Sequence, residues 1–124
     1  MSAQNGAYKV ALTAVTGTSA GGCLSLANPD GVALIITKLV LDITTQSTGA
    51  AAVDAGVAAN GTTSADNLLD GLSVATAGVF DNTVSGGTNG LGAVKWGATQ
   101  FLTITASATL AGLVGNAYIE YIRV

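Results

Sequence analysis

Apolar and polar residues alternate along much of this chain with a period of two, which is typical of half-buried β-strands. The alternation is clearest in AYKVALTAV (7–15) and AYIEYIRV (117–124). Turn residues, mostly Gly and Asn, separate such segments at intervals of roughly 8–12 residues. The pattern predicts further strands at 23–27, 32–44, 50–58, 72–75, 78–84, 93–96 and 99–107.

The segment 32–44 differs from the other predicted strands because apolar residues occupy both of its faces. That pattern is typical of a central strand that is covered on both sides, either by its own domain or by a partner subunit. The four residues before it, Asn28-Pro29-Asp30-Gly31, form a strong turn signal. Pro29 presets φ at the second turn position, and the Asn28 side chain can bond back to its own backbone.

One segment, SADNLLDG (64–71), fits a short helix with Ser64 as its cap and Gly71 at its end. No segment is long enough for the crossover helices that parallel sheets need. The predicted fold is therefore all-β, an antiparallel β-sandwich of jelly-roll type with at most one short helix. We expect residues 1–6 to form a flexible N-terminal arm and residues 7–124 to form a single sandwich domain.

Composition adds a prediction about assembly. Only 9 % of the 124 residues are charged and the net charge is −3, whereas soluble surfaces carry about 25–35 % charged residues. A surface of Thr, Ser, Asn, Gly and Ala repels a second copy only weakly, so we predict a homo-oligomer. Four basic residues are too few for a nucleic-acid binder.

The same composition bears on membranes and compartment. The most apolar stretch, 32–43, is interrupted by Thr37, Lys38 and Asp42, so we predict no membrane span. The start of the chain, MSAQNGAYKV, lacks the charged and apolar regions of a signal peptide. We therefore expect the chain to be made in the cytoplasm, and the match of Asn60-Gly61-Thr62 to the glycosylation pattern carries no meaning there.

Candidate catalytic and metal-binding residues are few. The chain has no His to activate Cys23, which we expect to be a small buried hydrophobe. Hard cations favour carboxylates, and the carboxylates considered are Asp54, Asp66, Asp70 and Asp81. Without a D-x-D-x-D-G loop, turn and helix-end roles are the better interpretation of these residues. A single Glu, Glu120, offers no acid–base pair. We predict no enzymatic activity, no metal and no cofactor.

The glycine-rich segment SGGTNGLG (85–92) resembles a phosphate loop only superficially, because the Gly-Lys-Ser/Thr ending is absent. We interpret it as a flexible hairpin or a loop between subunits. The aromatic residues Trp96, Phe101, Tyr8, Tyr118 and Tyr121 are expected to fill the core rather than to line a ligand groove. The predicted interface residues are Gly86, Gly87, Thr88, Asn89 and Gly90. For Trp96, which lies beside Gly97 at a strand end, a place at the interface is the alternative to a place in the core.

Four phrases of the chain resemble small β-rich virion proteins of tailed bacteriophages and prophages. They are NPDG (28–31), VALIITKLVLDITTQSTGAAAVDAGVA (32–58), TTSADNLLDGLSV (62–74) and AGLVGNAYIEYIRV (111–124). The resemblance, to capsid decoration or head-fibre proteins, implies a non-enzymatic protein of the virion. Such a protein binds the major capsid protein or another virion protein, often as a trimer, and stabilises or extends the shell.

Two other functions remain open at the level of the sequence. One is a receptor- or carbohydrate-binding module of a phage fibre or tail. The other is a subunit that assembles with itself into a shell or filament, which would share the low charge and small residues of a decoration protein.

Overall fold

The computed structural model of the chain describes residues 5–124, which form nine β-strands and no helix. The strands are β1 (Asn5–Ala11), β2 (Leu24–Ala27), β3 (Leu34–Thr45), β4 (Ala52–Ala58), β5 (Leu69–Ser73), β6 (Gly78–Asp81), β7 (Val94–Trp96), β8 (Phe101–Ala106) and β9 (Val114–Arg123). Every strand pair is antiparallel. The predicted all-β class is therefore confirmed.

The strands pair as one long hairpin that is folded over on itself. β1 pairs with β9, β2 with β8 and β4 with β5, while β3 pairs with both β6 and β7. The folding of this hairpin also places β9 beside β3 and β8 beside β4. The result is a five-stranded sheet with the order β1-β9-β3-β6, in which β7 also pairs with β3, and a four-stranded sheet with the order β2-β8-β4-β5. This nesting is the jelly-roll arrangement, as predicted.

The core lies between the two sheets. Each sheet strand contributes alternate residues to it, and burial of each large apolar side chain stabilises the fold by roughly 1.5–3 kcal/mol. The largest fully buried side chains are Trp96, Leu34, Ile36, Leu39, Leu41, Ile43, Leu68, Leu69, Leu102, Ile104, Leu110 and Ile119. The two central strands, β3 and β8, hold seven of these residues and form the middle of the sandwich.

Two bulges shape the central strand β3. The register against β9 shifts at Thr37 and again at Thr44. Each of these threonines donates its hydroxyl to a carbonyl on β9, Thr37 to Glu120 at 3.2 Å and Thr44 to Val114 at 3.1 Å. The side chain thus replaces part of the backbone pairing that a bulge interrupts.

The turn at 28–31 forms as predicted. The Asn28 carboxamide oxygen accepts hydrogen bonds from the backbone N–H groups of Asp30 and Gly31, and Gly31 takes a φ of 67°. The Asn28 amide nitrogen also donates to the carbonyls of Val32, Trp96 and Gly97. The turn is therefore anchored to the end of β7 as well as to itself.

The predicted helix at 64–71 is wrong. Its second half is the start of strand β5, and the Leu68 N–H donates to the Ala55 carbonyl on β4 at 2.9 Å. A helix of two turns is marginal on its own, whereas the free edge of β4 offers backbone partners. Leu68 and Leu69 do point into the core, but Gly71, with a φ of 75°, allows a bulge there rather than ending a helix.

The boundary of the predicted N-terminal arm also needs correction. Asn5 and Gly6 belong to strand β1 and pair with Ile122 and Tyr121 on β9. The Tyr121 ring packs directly on Gly6, where a Cβ atom would lie 2.5 Å from the ring. The first part of the predicted arm, residues 1–4, lies outside the described residues.

Candidate functional site

The outer faces of the two sheets differ. A loop, residues 59–67, covers part of the four-stranded sheet, where the Thr103 hydroxyl donates to the Thr63 carbonyl at 2.8 Å. Gly56 on β4 allows this close approach, because a Cβ atom there would lie 2.3 Å from the Asn67 carboxamide oxygen. Thr103 is consequently 0 % exposed although it faces away from the core.

The outer face of the five-stranded sheet, by contrast, keeps all of its side chains exposed or half-buried. We call it the open face. Its residues are Asn5, Ala7, Lys9, Ala11, Ile35, Lys38, Val40, Asp42, Val79, Asp81, Lys95, Asn116, Tyr118, Glu120 and Ile122. They share one side of the sheet because directly paired residues, and every second residue along a strand, face the same way.

The open face explains the two-sided apolar pattern of β3. One set of apolar residues is the core, and the outward set includes Ile35 and Val40, which stay half-buried beside Tyr118 and Ile122 of β9. The sequence pattern predicts that both faces of this strand are covered, but none of the described residues covers its outward face. This surface is the site that the sequence analysis missed, although the outward apolar residues of 32–44 were a signal for it.

Charge is divided sharply between the open face and the rest of the chain. The open face holds three basic and three acidic side chains, which are Lys9, Lys38, Lys95, Asp42, Asp81 and Glu120. Arg123 and Asp30 form an ion pair at 2.7 Å elsewhere. The net charge of −3 therefore resides in Asp54, Asp66 and Asp70, and the open face is neutral as a whole.

Two interactions order charged groups on the open face. The Lys9 ammonium lies 5.8 Å from the centre of the Tyr118 ring, within the range of a cation–π contact. Hydrogen bonds from the Thr83 hydroxyl and the Val84 N–H, together with the nearby Lys38, lower the pKa of Asp81. Asp81 thus stays ionised at neutral pH, and it lies at the edge of the sheet opposite Lys9.

The glycine-rich segment folds as an anchored loop rather than a flexible hairpin. The Gly86 carbonyl accepts from the Asp70 N–H at 2.9 Å, and Asn89 donates to the carboxylates of both Asp66 and Asp70. Gly87 has a φ of 73° and sits against the Asp70 backbone. Gly86 is buried within the chain and offers little surface to a partner. Gly87, Thr88 and Asn89 are exposed and Gly90 is half-buried, so the predicted interface at these four positions stays a prediction.

The loop is a poor cradle for phosphate. Strand β7 follows it, and the N–H of Asn89 already faces the Asp70 carboxylate. Carboxylates at that position repel a second anion. Asp54 is engaged in the same region, accepting from the Gly71 N–H at 2.8 Å. Among residues 5–124, no group of three or more His, Cys, Asp or Glu side chains is placed to hold a metal ion.

Trp96 is a core residue. Its side chain is 0 % exposed and its indole N–H donates to the Gln100 carbonyl at 3.0 Å. A side chain that is buried in its own chain offers no surface to a partner, so Trp96 does not belong to the predicted interface. Of the other aromatic residues considered, only Tyr121 joins it in the core, while Tyr8 is 41 % exposed.

Cys23 is buried next to β2, with 1 % of its surface exposed. Burial raises the pKa of its thiol to about 11, against a small opposing effect of the hydrogen bond with the Thr13 backbone. The reactive form of cysteine is the thiolate, so this group is inert at neutral pH. The expected role of Cys23 as a small buried hydrophobe is confirmed.

The turn at Asn60-Gly61-Thr62 has a structural role. The Asn60 carboxamide oxygen accepts hydrogen bonds from the Thr62 backbone and from the Thr62 and Thr63 hydroxyls. The Gly61 carbonyl accepts from the Ser25 hydroxyl at 3.0 Å. These bonds hold the start of the covering loop against β2.

A shallow depression lies at the corner of the open face, where β1, β9 and the bulge of β3 meet. The residues that line it are Asn5, Gly6, Ala7, Thr37, Glu120, Tyr121 and Ile122. Glu120 is the one carboxyl group in this lining, and Tyr121 is the one phenol.

Comparison with known protein families, with curated proteins and with solved structures finds no match to this chain. Within the part of the chain that the structure describes, no helix has the length and apolar character needed to cross a membrane.

Proposed function

We propose that the chain is a non-enzymatic structural protein of a bacteriophage virion, which binds the outside of the capsid as a homo-oligomer and stabilises it. The phage setting, the major capsid protein as partner and a trimeric state come from the resemblance of the sequence. The observation that carries the structural role is the open face, a broad sheet surface that is neutral overall and half apolar.

The open face suits repeated protein contacts. Interfaces between protein subunits combine a central apolar region with a polar rim. Val40 and Tyr118 lie at the middle of this sheet, while Lys9 and Asp81 lie at its edges. Many copies on one shell would make individually weak contacts collectively strong. Such contacts would have to break before the shell could rupture, which is how a decoration protein stabilises a capsid.

The chemistry of the described residues supports a non-catalytic role. The Cys23 thiol is buried and its pKa is raised. The carboxylates of Asp66, Asp70 and Asp81 accept hydrogen bonds from loop residues. Glu120 is the one carboxyl group that lines the shallow depression. Nucleophilic catalysis needs an accessible, activated nucleophile, and the buried Cys23 thiol does not meet that requirement.

The test is binding to empty capsids assembled from the major capsid protein that the same genome encodes. We expect the protein to sediment with these capsids at a fixed ratio and to raise the temperature at which they break open. Failure to sediment at any ratio would overturn the proposed function. Retention on a glycan array, with no capsid binding, would establish the receptor-binding alternative instead.

A self-assembling shell or filament is distinguished by size. Light scattering behind size-exclusion chromatography at two protein concentrations gives the mass of the free protein. A discrete oligomer, a small multiple of the 12.1 kDa chain, fits a decoration protein. Growth into large assemblies without capsids would favour a subunit that polymerises by itself.

A further inference from the structure

The side chains of the open face stand in four rows that cross the sheet. Strand pairing sets the members of each row, from β1 through β9 and β3 to β6 or β7. The rows are Asn5-Ile122-Ile35-Lys95, then Ala7-Glu120-Lys38, then Lys9-Tyr118-Val40-Asp81, and finally Ala11-Asn116-Asp42-Val79.

These rows become self-complementary under one symmetry operation. Two copies can be stacked with their open faces in contact and related by a two-fold axis. This axis lies in the plane between the two faces, runs parallel to the strands, and passes midway between β9 and β3. Rotation about it brings each residue of β9 opposite the β3 residue of the same row in a second copy, and each residue of β1 opposite β6 or β7. Isologous contacts of this kind need a surface that matches itself.

The charged residues match under this operation. Glu120 comes to face Lys38 of the second copy, and the reverse contact forms at the same time. Lys9 likewise comes to face Asp81 of the second copy. All four of these contacts join opposite charges, which is the complementarity that fixes the register of protein interfaces.

The apolar and polar residues match as well. Ile122 comes to face Ile35, and Tyr118 comes to face Val40. In the fourth row, the Asn116 amide comes opposite the Asp42 carboxylate, a donor against an acceptor. The axis thus brings the central apolar residues opposite one another and brings Lys9, Lys38, Asp81 and Glu120 opposite residues of the other sign, while Lys95 faces Asn5.

The other two-fold axis in the same plane, perpendicular to the strands, fails this test. It would bring the second row onto the third, so that Glu120 faces Tyr118 and Lys38 faces Val40 of the second copy. Burial of a charge against an apolar side chain costs free energy because the charge loses its hydration. The pattern therefore selects one orientation.

We propose that the open face pairs with the open face of a second copy about the two-fold axis that lies along the strands between β9 and β3. This inference deepens the proposed function and rests on it in one respect, the expectation that the chain assembles. It names the partner of the open face as another copy of the chain, and it makes the unit a pair rather than the trimer that the resemblance implies.

The size of the open face suits this pairing. Four strand positions at about 4.8 Å and roughly ten residues at about 3.3 Å give a projected area of about 600 Å² per copy. A standard stable interface buries about 800 Å² of accessible surface per partner, and accessible area exceeds projected area. Aligned sheets pack at about −30°, a rotation that displaces the central strands little.

The test uses charge reversals at Lys38 and Glu120, whose side chains make no hydrogen bond or ion pair among the described interactions and face solvent on the open face. The variants Lys38→Glu and Glu120→Lys each place like charges opposite each other across the axis. We expect the wild-type protein to have about twice the 12.1 kDa chain mass by light scattering. Each single variant should pair at least about tenfold more weakly, because like charges in an interface are strongly disfavoured.

Mixing the two single variants separates contacts between copies from contacts within one chain. Lys38 and Glu120 are also cross-strand neighbours, so each single variant repels within its own chain as well. That internal repulsion persists in a mixture, but a mixed pair has opposite charges at both contacts across the axis. We expect a one-to-one mixture of the two variants to recover the mass of a pair.

The double variant, Lys38→Glu with Glu120→Lys, keeps the test decisive if a single variant does not fold. It restores opposite charges between positions 38 and 120, both within the chain and between identical copies, so it should form pairs with itself. Against the wild type it presents like charges at both contacts. In a pull-down, a tagged double variant should therefore not retain untagged wild type, whereas tagged wild type should retain untagged wild type.

Matched controls change charge away from the open face. Thr99→Glu lies in the exposed turn between β7 and β8, and Ala59→Lys lies in the exposed turn after β4. Both should keep the mass of the wild type. Circular dichroism and thermal unfolding of each variant check that the fold is retained.

Three results would overturn the inference. They are a wild-type protein that stays monomeric at high concentration, an oligomer whose mass neither single variant changes, and a mixture that does not regain the pair. A monomeric wild type would also remove the homo-oligomer from the proposed function. Sedimentation with capsids is measured independently of pairing, so capsid binding and the pairing fail separately.

Discussion

The side chain of Asn82 completes the backbone pairing of Leu39. Its carboxamide oxygen accepts the Leu39 N–H at 2.8 Å, and the Asn82 N–H donates to the Leu39 carbonyl at 3.2 Å. β6 and β7 pair with different ends of β3, and Leu39 lies in the gap between them. The Asn82 amide nitrogen also donates to the Leu91 carbonyl at 2.8 Å, which ties the glycine-rich loop to the sheet.

Replacement of Asn82 by Ala should therefore destabilise the fold. The Leu39 N–H and the Leu91 carbonyl would lose their partner in a site where Asn82 is only 3 % exposed. A buried polar group without a partner costs about 1–3 kcal/mol, so we expect a loss of roughly 2–4 kcal/mol in urea unfolding. Thr88→Ala, at an exposed position of the same loop, is the control and should cost under about 0.5 kcal/mol. Equal losses in both variants would contradict the role given to Asn82.

The covering loop on the four-stranded sheet should be sensitive to a single methyl group. Gly56→Ala would place a Cβ atom 2.3 Å from the Asn67 carboxamide oxygen and 2.9 Å from the Ala65 Cβ. We expect a loss of about 1–3 kcal/mol, together with faster amide exchange in 59–67. Gly49→Ala meets open space and should change stability little. An unchanged exchange rate in the Gly56 variant would show that the loop does not rest on β4.

Cys23 should make stability depend on pH in the alkaline range. Its folded pKa is raised from 9.0 to about 11, so the folded state holds the proton more tightly than the unfolded state. The stabilisation is fully present below pH 9 and is lost as pH rises through about 11. A shift of about two units corresponds to roughly 2–3 kcal/mol. Urea midpoints should fall more steeply above pH 9 in the wild type than in Cys23→Ala, which lacks the thiol; parallel curves would contradict this.

Trp96 should report on a core that assembly does not change. Because its ring is fully buried, its fluorescence should lie at shorter wavelength than in urea and should resist quenching by iodide. Neither property should change with protein concentration. Trp96→Ala should cost about 3–5 kcal/mol, as large-to-small changes in cores do. A shift of the emission wavelength on dilution would contradict this and would show that Trp96 lies at a contact between copies.

Much of the fold follows from local sequence because its causes are local. Period-two alternation marked the strands, since each strand presents one face to the core. The turn at Asn28 follows from side-chain bonds within four residues. The length of the chain and the lack of a long helical pattern left the sandwich as the architecture.

The helix predicted at 64–71 shows where local information ends. Ser64 and Gly71 fit a helix as well as they fit the observed loop and strand. Contacts with β4 favour the extended conformation over the helix. The edge of β4 accepts the Leu68 N–H, and the surrounding core buries Leu68 and Leu69. A contact between segments a dozen residues apart decided the local conformation.

The sequence by itself determined the all-β class, the main turns and the inert character of Cys23, because composition and short-range chemistry are sufficient for these. Only the tertiary structure determined which residues share the open face. Lys9, Lys38 and Glu120 are far apart in the chain, and only the pairing of β1, β9 and β3 brings them onto one surface. Strand register is a long-range property, set by which residues the core buries, and it is what arranges these charges in rows.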